Sequence, residues 1–185
     1  MVYLAAAVAV VGALCLLDLV LTFGVIRRLR EHTRMLATVP QGMTNPLGIA
    51  VGEAPGEFSA TTTSGETVSR AQLSGPTLVG FFAPGCEPCA TELPRFVERA
   101  GDMPGGQQQA LAIVIDGADD ESGYRERLEP VARVVVERHD GPLQAAFRVA
   151  AYPTIYLLGH DGVVLANGTM MSDVGNAPAS DVAAV

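Results

Sequence analysis

Hydrophobic and polar positions divide the chain into stretches with different periodicities. From Val2 to Ile26 the sequence is apolar except for Asp18 and Thr22, and as a helix this run spans roughly 37 Å, enough to cross a hydrocarbon layer of about 30 Å. A basic, helix-compatible stretch (RRLREHTRML) follows. Residues 38–57 are then rich in Gly and Pro without periodicity, which reads as a linker. The pattern becomes regular from Phe58. Phe58–Thr63 and Thr67–Val68 read as short strands around a Ser64-Gly65 turn. Thr77–Phe82 (TLVGFF) and Ala110–Ile115 (ALAIVI) are continuous apolar runs, as in strands covered on both faces. Between them Glu87–Ala100 predicts a helix that Pro94 kinks. An acidic helix from Asp119 to Leu128, a strand at Val134–Val136 and a short helix at Leu143–Val149 come next. Thr154–Leu158 and Val163–Ala166 flank His160-Asp161-Gly162, a hairpin signal. Strand-helix alternation ending in a hairpin predicts an α/β fold with a mixed central sheet flanked by helices. After Met171 the pattern decays.

The expected organisation is a transmembrane anchor at 1–27, a juxtamembrane segment and linker at 28–54, and one domain at 55–185. No basic residue precedes Arg27, unlike a secretory signal peptide, and Leu14 before Cys15 argues against lipoprotein cleavage. Composition narrows the function. Of 185 residues, 12 are basic and 20 acidic, giving a net charge of −8. Without residues 1–37, which hold four Arg, Asp18 and Glu31, the remainder has 12 − 4 = 8 basic and 20 − 2 = 18 acidic groups, a charge near −10. Such a chain repels nucleic acid. All twelve basic residues are Arg, which also excludes Lys-dependent Schiff-base and P-loop chemistry.

The chemistry resides in Cys86-Glu87-Pro88-Cys89, placed where a buried strand runs through Ala-Pro-Gly into a helix. Unpaired N–H groups and the positive dipole end at a helix N-terminus stabilise a thiolate. Cys86 is thereby placed as the exposed nucleophile, and Cys89, one turn on, as the partner that closes the disulfide. Pro88 lies in the first turn, where its missing N–H costs nothing. A zinc site would need two more ligands, and His139 and His160 are distant in sequence. A structural disulfide over so short a loop gains little entropy. Peroxidase chemistry would want a threonine three residues before the reactive cysteine, where Ala83 stands. A redox-active pair is the reading these comparisons favour.

The two segments VGFFAPGCEPCATELPRF and FRVAAYPTIYLLGHDGVV, in this order, resemble the membrane-anchored thioredoxin-like proteins of the TlpA/ResA type, with MauD-like redoxins as near relatives. The resemblance covers about residues 50–170. It implies a thioredoxin-like fold, a thiol–disulfide oxidoreductase that needs no cofactor beyond Cys86 and Cys89, protein thiols or disulfides as substrates, and a membrane electron donor for recycling. It also implies that Pro153 is a cis-proline facing the disulfide, with Tyr152 and Thr154 beside it and Glu87 and Pro88 opposite forming the substrate-binding surface. Glu92, three residues after the second cysteine, matches a functional glutamate of ResA-type proteins. It is the expected acid–base group, in apolar surroundings made by Phe81, Phe82 and Pro153.

Two departures from that pattern, and one residue that agrees with it, bear on mechanism. A buried aspartate that thioredoxins carry six residues before the first cysteine is Gly80 here, and the tryptophan common before that cysteine is Gly85. Glu87 beside Cys86 opposes thiolate formation, which favours a reductant or isomerase over an oxidant. Four Arg directly after the apolar run would place the domain in the cytoplasm, whereas the resemblance implies an extracytoplasmic one, and the expectation follows the resemblance. The competing class is a non-enzymatic adaptor or metal chaperone tethered to a membrane complex. Cys15 reads as a small apolar side chain of the anchor, and Asp18 as a group needing a partner helix, a proton or a reach toward water.

Overall fold

The computed structural model describes residues 48–73, 75–115 and 123–175, with Gly12 in addition. The expected anchor at 1–27 with Cys15 and Asp18, the basic stretch after it, the start of the acidic helix at 119–122 and the tail at 176–185 lie outside the described residues. Among the described residues no helix is long and apolar enough to cross a membrane.

A hairpin of β1 (Ser59–Thr61) and β2 (Thr67–Ser69) precedes a five-stranded sheet. The sheet comprises β3 (Thr77–Phe82), β4 (Ala110–Ile115), β5 (Arg133–Glu137), β6 (Thr154–Leu158) and β7 (Val164–Gly168), in the order β5-β4-β3-β6-β7. β3, β4 and β5 are parallel, β6 runs antiparallel to β3, and β7 runs antiparallel to β6. Helices α1 (Glu87–Gly101), α2 (Tyr124–Leu128), α3 (Pro142–Phe147) and α4 (Met171–Gly175) connect and follow the strands. This is the mixed α/β sheet expected from the alternation.

Alternation along β3 explains why its run is wholly apolar. Leu78 and Phe82 enter one core, with Cys89, Leu93 and Phe96 of α1, while Val79 and Phe81 enter a second, with Leu143 and Phe147 of α3. Period-two side chains with an apolar layer on each face require a continuous hydrophobic strand. α1 turns a stripe of Cys89, Glu92, Leu93, Phe96 and Ala100 inward at helical spacing and continues past Pro94 to Gly101.

One boundary changes. The Gly/Pro-rich stretch expected as linker is tied into the domain from residue 48 onward. Ile49 is fully buried, its N–H donates to the Phe147 carbonyl at 3.1 Å, and its own carbonyl accepts from Asn167 Nδ2 at 2.7 Å. Gly52 N and Glu53 O bond both backbone groups of Val164 at 2.9 and 2.8 Å. The segment satisfies its backbone on β7, which is why it needs no periodicity of its own.

Candidate functional site

The site begins at the carboxyl end of β3. Cys86 N–H donates to the Ala83 carbonyl at 3.3 Å, closing a turn with Pro84 and Gly85 in the middle. Gly85 has φ +78°, the left-handed value that the third position of a Pro-Gly turn demands. Glycine at the position of the family's tryptophan follows from that backbone. The turn delivers Cys86 to the N-cap of α1, where its Sγ accepts the Cys89 N–H at 3.3 Å. Cys86 and Cys89 are joined as a disulfide with Cα atoms 5.2 Å apart. Cys86 is half-buried at the rim and Cys89 fully buried. Glu87 and Pro88 are exposed on the first turn.

The opposite wall comes from the loop before β6. The Tyr152-Pro153 bond is cis, and the Tyr152 carbonyl lies 3.5 Å from Cys86 Sγ. Two dipoles therefore meet the same sulfur. The Cys89 N–H favours a thiolate, and the Tyr152 carbonyl gives the thiol form an acceptor. Burial pushes the Tyr152 phenol above its ordinary value, with Glu137 and Asp140 adding in the same direction.

Not every expected residue faces the disulfide. Thr154 is fully buried, and its Oγ1 donates back to the Ala151 carbonyl at 2.6 Å. It shapes the loop and presents no side chain to a ligand. Glu92 lies one turn past Cys89 on the buried stripe of α1, but its surroundings differ from the apolar ones expected. Oε1 pairs with Arg95 Nη1 at 2.6 Å, and Oε2 accepts the Met171 N–H at 2.9 Å. That carboxylate ties α1 to the start of α4.

The Gly80 departure also has a physical cause. A Cβ there would lie 2.6 Å from Phe96 Cε2 and 2.7 Å from Phe82 Cε2. The two rings, edge to face at 5.1 Å, occupy the volume a side chain would need. Sequence reasoning missed Glu137 and Gln144, which connect to the Tyr152 hydroxyl by hydrogen bonds. Their signal was slight: a glutamate ending a buried strand and a glutamine inside a short apolar helix.

Among the described residues no group of three or more His, Cys, Asp or Glu gathers that could hold a metal ion. A cavity of about 210 Å³, lined by Thr63, Gln107 and Arg133 among others, lies away from the cysteines. Arg133 starts β5, at the end of the parallel strands opposite the disulfide.

Comparison with known proteins agrees with this geometry. The AhpC/TSA family profile matches residues 51–167. The thioredoxin-like protein YneN of Bacillus subtilis is 25% identical over 123 residues, covering 64% of this chain and 71% of that protein. A solved thiol:disulfide interchange protein of the thioredoxin family from Chlorobium tepidum superposes with a TM-score of 0.55 at 20% identity, over 72% of this chain and 98% of its own. A Neisseria meningitidis structure described as a thioredoxin superposes with a TM-score of 0.51 at 30% identity, over 65% of this chain and 81% of its own.

Proposed function

The chain belongs to the AhpC/TSA family and is a thioredoxin-like thiol–disulfide oxidoreductase, and from that premise we propose that Cys86-Glu87-Pro88-Cys89 is its redox centre, working as a reductant or isomerase of protein disulfides. The observation that carries this reading is the asymmetry of the pair. Cys86 is at the rim, capped by an N–H and faced by the Tyr152 carbonyl, while Cys89 is fully buried behind it.

In the reductive direction the Cys86 thiolate attacks one sulfur of a substrate disulfide. A mixed disulfide forms and the other substrate sulfur leaves as a thiolate. The Cys89 thiolate then attacks Cys86 Sγ, the second substrate sulfur leaves, and two electrons have passed from the enzyme dithiol to the substrate. A membrane thiol donor would restore the dithiol. An extended substrate segment would lie along Ala151–Pro153, using the backbone at Tyr152, with Glu87 and Pro88 across from it. The exposed Glu87 and the Tyr152 carbonyl both oppose a very acidic Cys86, which supports the reductive direction.

Glu92 is the proposed acceptor of the Cys89 proton. Its Arg95 partner is 60% exposed and can swing away to free Oε1. Ala83 offers no hydroxyl to a peroxide, which weighs against peroxidase chemistry despite the family's breadth. In this reading residues 1–27 anchor the domain in a membrane, with the redox centre on the extracytoplasmic side.

The test is dithiothreitol-dependent reduction of a fluorescence-quenched peptide containing one disulfide. Wild-type protein turns it over, and Cys86→Ser and Cys89→Ser each abolish turnover. Full activity in either variant overturns the assignment.

A further inference from the structure

Beyond the cysteines, the geometry points to Glu137 and Gln144 as positioning residues that hold the Tyr152 segment against Cys86; this rests on the disulfide-exchange reading above and extends it to the non-covalent wall of the site. Neither residue touches a sulfur.

Glu137 ends β5 and is 9% exposed, so its carboxylate needs partners. It finds them at the start of α3. Oε2 accepts the Leu143 N–H at 3.0 Å, and Oε1 accepts the Gln144 backbone N–H at 2.9 Å and the Gln144 side-chain amide at 3.1 Å. Gly141 makes this possible, because a Cβ there would lie 2.5 Å from Glu137 Oε2. The second hydrogen of Gln144 Nε2 goes to the Arg138 carbonyl at 2.6 Å.

With both amide hydrogens committed, the Gln144 side chain has one orientation, and its Oε1 is left as an acceptor. That oxygen accepts the hydrogen bond that the Tyr152 hydroxyl donates. Burial keeps the phenol protonated and therefore a donor. Tyr152 is thus held at its hydroxyl by Gln144, and its carbonyl is set 3.5 Å from Cys86 Sγ.

An apolar side chain at 144 would fill the same volume without burying an amide and a carboxylate. Placing two polar groups in the interior costs stability unless every atom is matched. Here the matched chain ends at the residue that faces the nucleophile. Substrate binding along Ala151–Pro153 would then depend on groups from β5 and α3 that never meet the substrate.

The experiment uses the full-length protein, the quenched peptide disulfide and dithiothreitol, with KM and kcat read separately. Tyr152→Phe removes one oxygen and keeps the ring. It is expected to raise KM three- to tenfold with kcat within twofold of wild type. Gln144→Met cuts the same link and should do the same, and the double variant should be no worse than the weaker single one, because only one connection exists to lose. A KM rise below threefold in Tyr152→Phe overturns the inference, even if the unfolding midpoint falls, since that would be a purely structural role. So does a double variant whose losses multiply. Tyr152→Phe decides the question alone if Gln144→Met does not fold. A wild-type protein without turnover is a different result, which removes the disulfide-exchange reading and this inference with it.

Discussion

Gly80→Ala is a one-carbon perturbation whose sign depends on two competing effects. Replacing glycine by alanine within a strand lowers the entropy lost on folding and by itself stabilises by roughly 0.5–1 kcal/mol. The new Cβ, however, would sit 2.6 Å from Phe96 Cε2, where ordinary contact starts near 3.4 Å, so something must retreat by 3.4 − 2.6 = 0.8 Å. Neither ring has room to do so. Phe82 and Phe96 are both fully buried and lock each other edge to face. Overpacking of this kind costs about 1–3 kcal/mol, so the clash outweighs the entropy gain. Urea unfolding of the oxidised protein should show Gly80→Ala destabilised by about 1–2 kcal/mol. The partner is testable too. In a Phe96→Leu background the closest contact is gone, and the cost of the added methyl should fall by about 1 kcal/mol, a coupling typical of touching residues. A neutral or stabilising Gly80→Ala, or additive effects, would refute the claim that the rings fill this volume. The same packing leaves no space there for a carboxylate.

Three further outcomes follow from buried polar groups. Glu92→Leu should cost about 1–2 kcal/mol, because it leaves the buried Met171 N–H without the Oε2 that accepts it, whereas Arg95→Ala should cost under about 0.5 kcal/mol, because that guanidinium is mostly exposed; urea midpoints in the reverse order would contradict this. Arg133 Nε and Nη2 are buried without hydrogen-bond partners among the described residues, Glu66 stands 3.9 Å from Nη1, and burial lowers the guanidinium's proton affinity. Arg133→Met should therefore stabilise by about 1–2 kcal/mol by the same urea assay, a loss of similar size being the contrary result. Tyr124, Tyr152 and Tyr156 all have pKa values raised, chiefly by burial. Their phenols ionise first in the unfolded chain near pH 10, so the unfolded state then holds fewer protons and stability falls as pH rises above that value. Melting temperatures between pH 9 and 11 should show the decline, with a shallower slope in Tyr156→Phe; equal slopes would show that Tyr156 does not contribute.

The legible parts of the fold were those whose pattern is decided locally. β3 and β4 match their expected runs residue for residue, and β6 its expected range, because strands covered on both faces bury every position. The cysteine pair was legible for the same local reason, since strand, Pro-Gly turn and helix start are contiguous. Where partners come from distant segments, sequence says little. Nothing near Glu92 indicates that its carboxylate meets the N–H of Met171, 79 positions away. Ile49 sits in a stretch that looks like linker, yet Phe147 and Asn167 pin it. Glu137 and Gln144 resemble surface residues until α3 folds back on β5. Thr154 was expected at the substrate surface from the resemblance, but β6 is buried on both faces and the Thr154 hydroxyl is bonded to the Ala151 carbonyl.

The central claim is that Cys86 attacks and Cys89 resolves, and trapping of the mixed disulfide tests it most directly. Reduced Cys89→Ser and Cys86→Ser proteins are each mixed with the quenched peptide disulfide, stopped with acid and separated without reductant. Mass spectrometry should find the peptide covalently held on Cys86 of the Cys89→Ser protein, with no adduct on Cys89 of the Cys86→Ser protein, because that thiol is fully buried. Equal adducts on both variants, or an adduct only on Cys89, would contradict the assignment of roles.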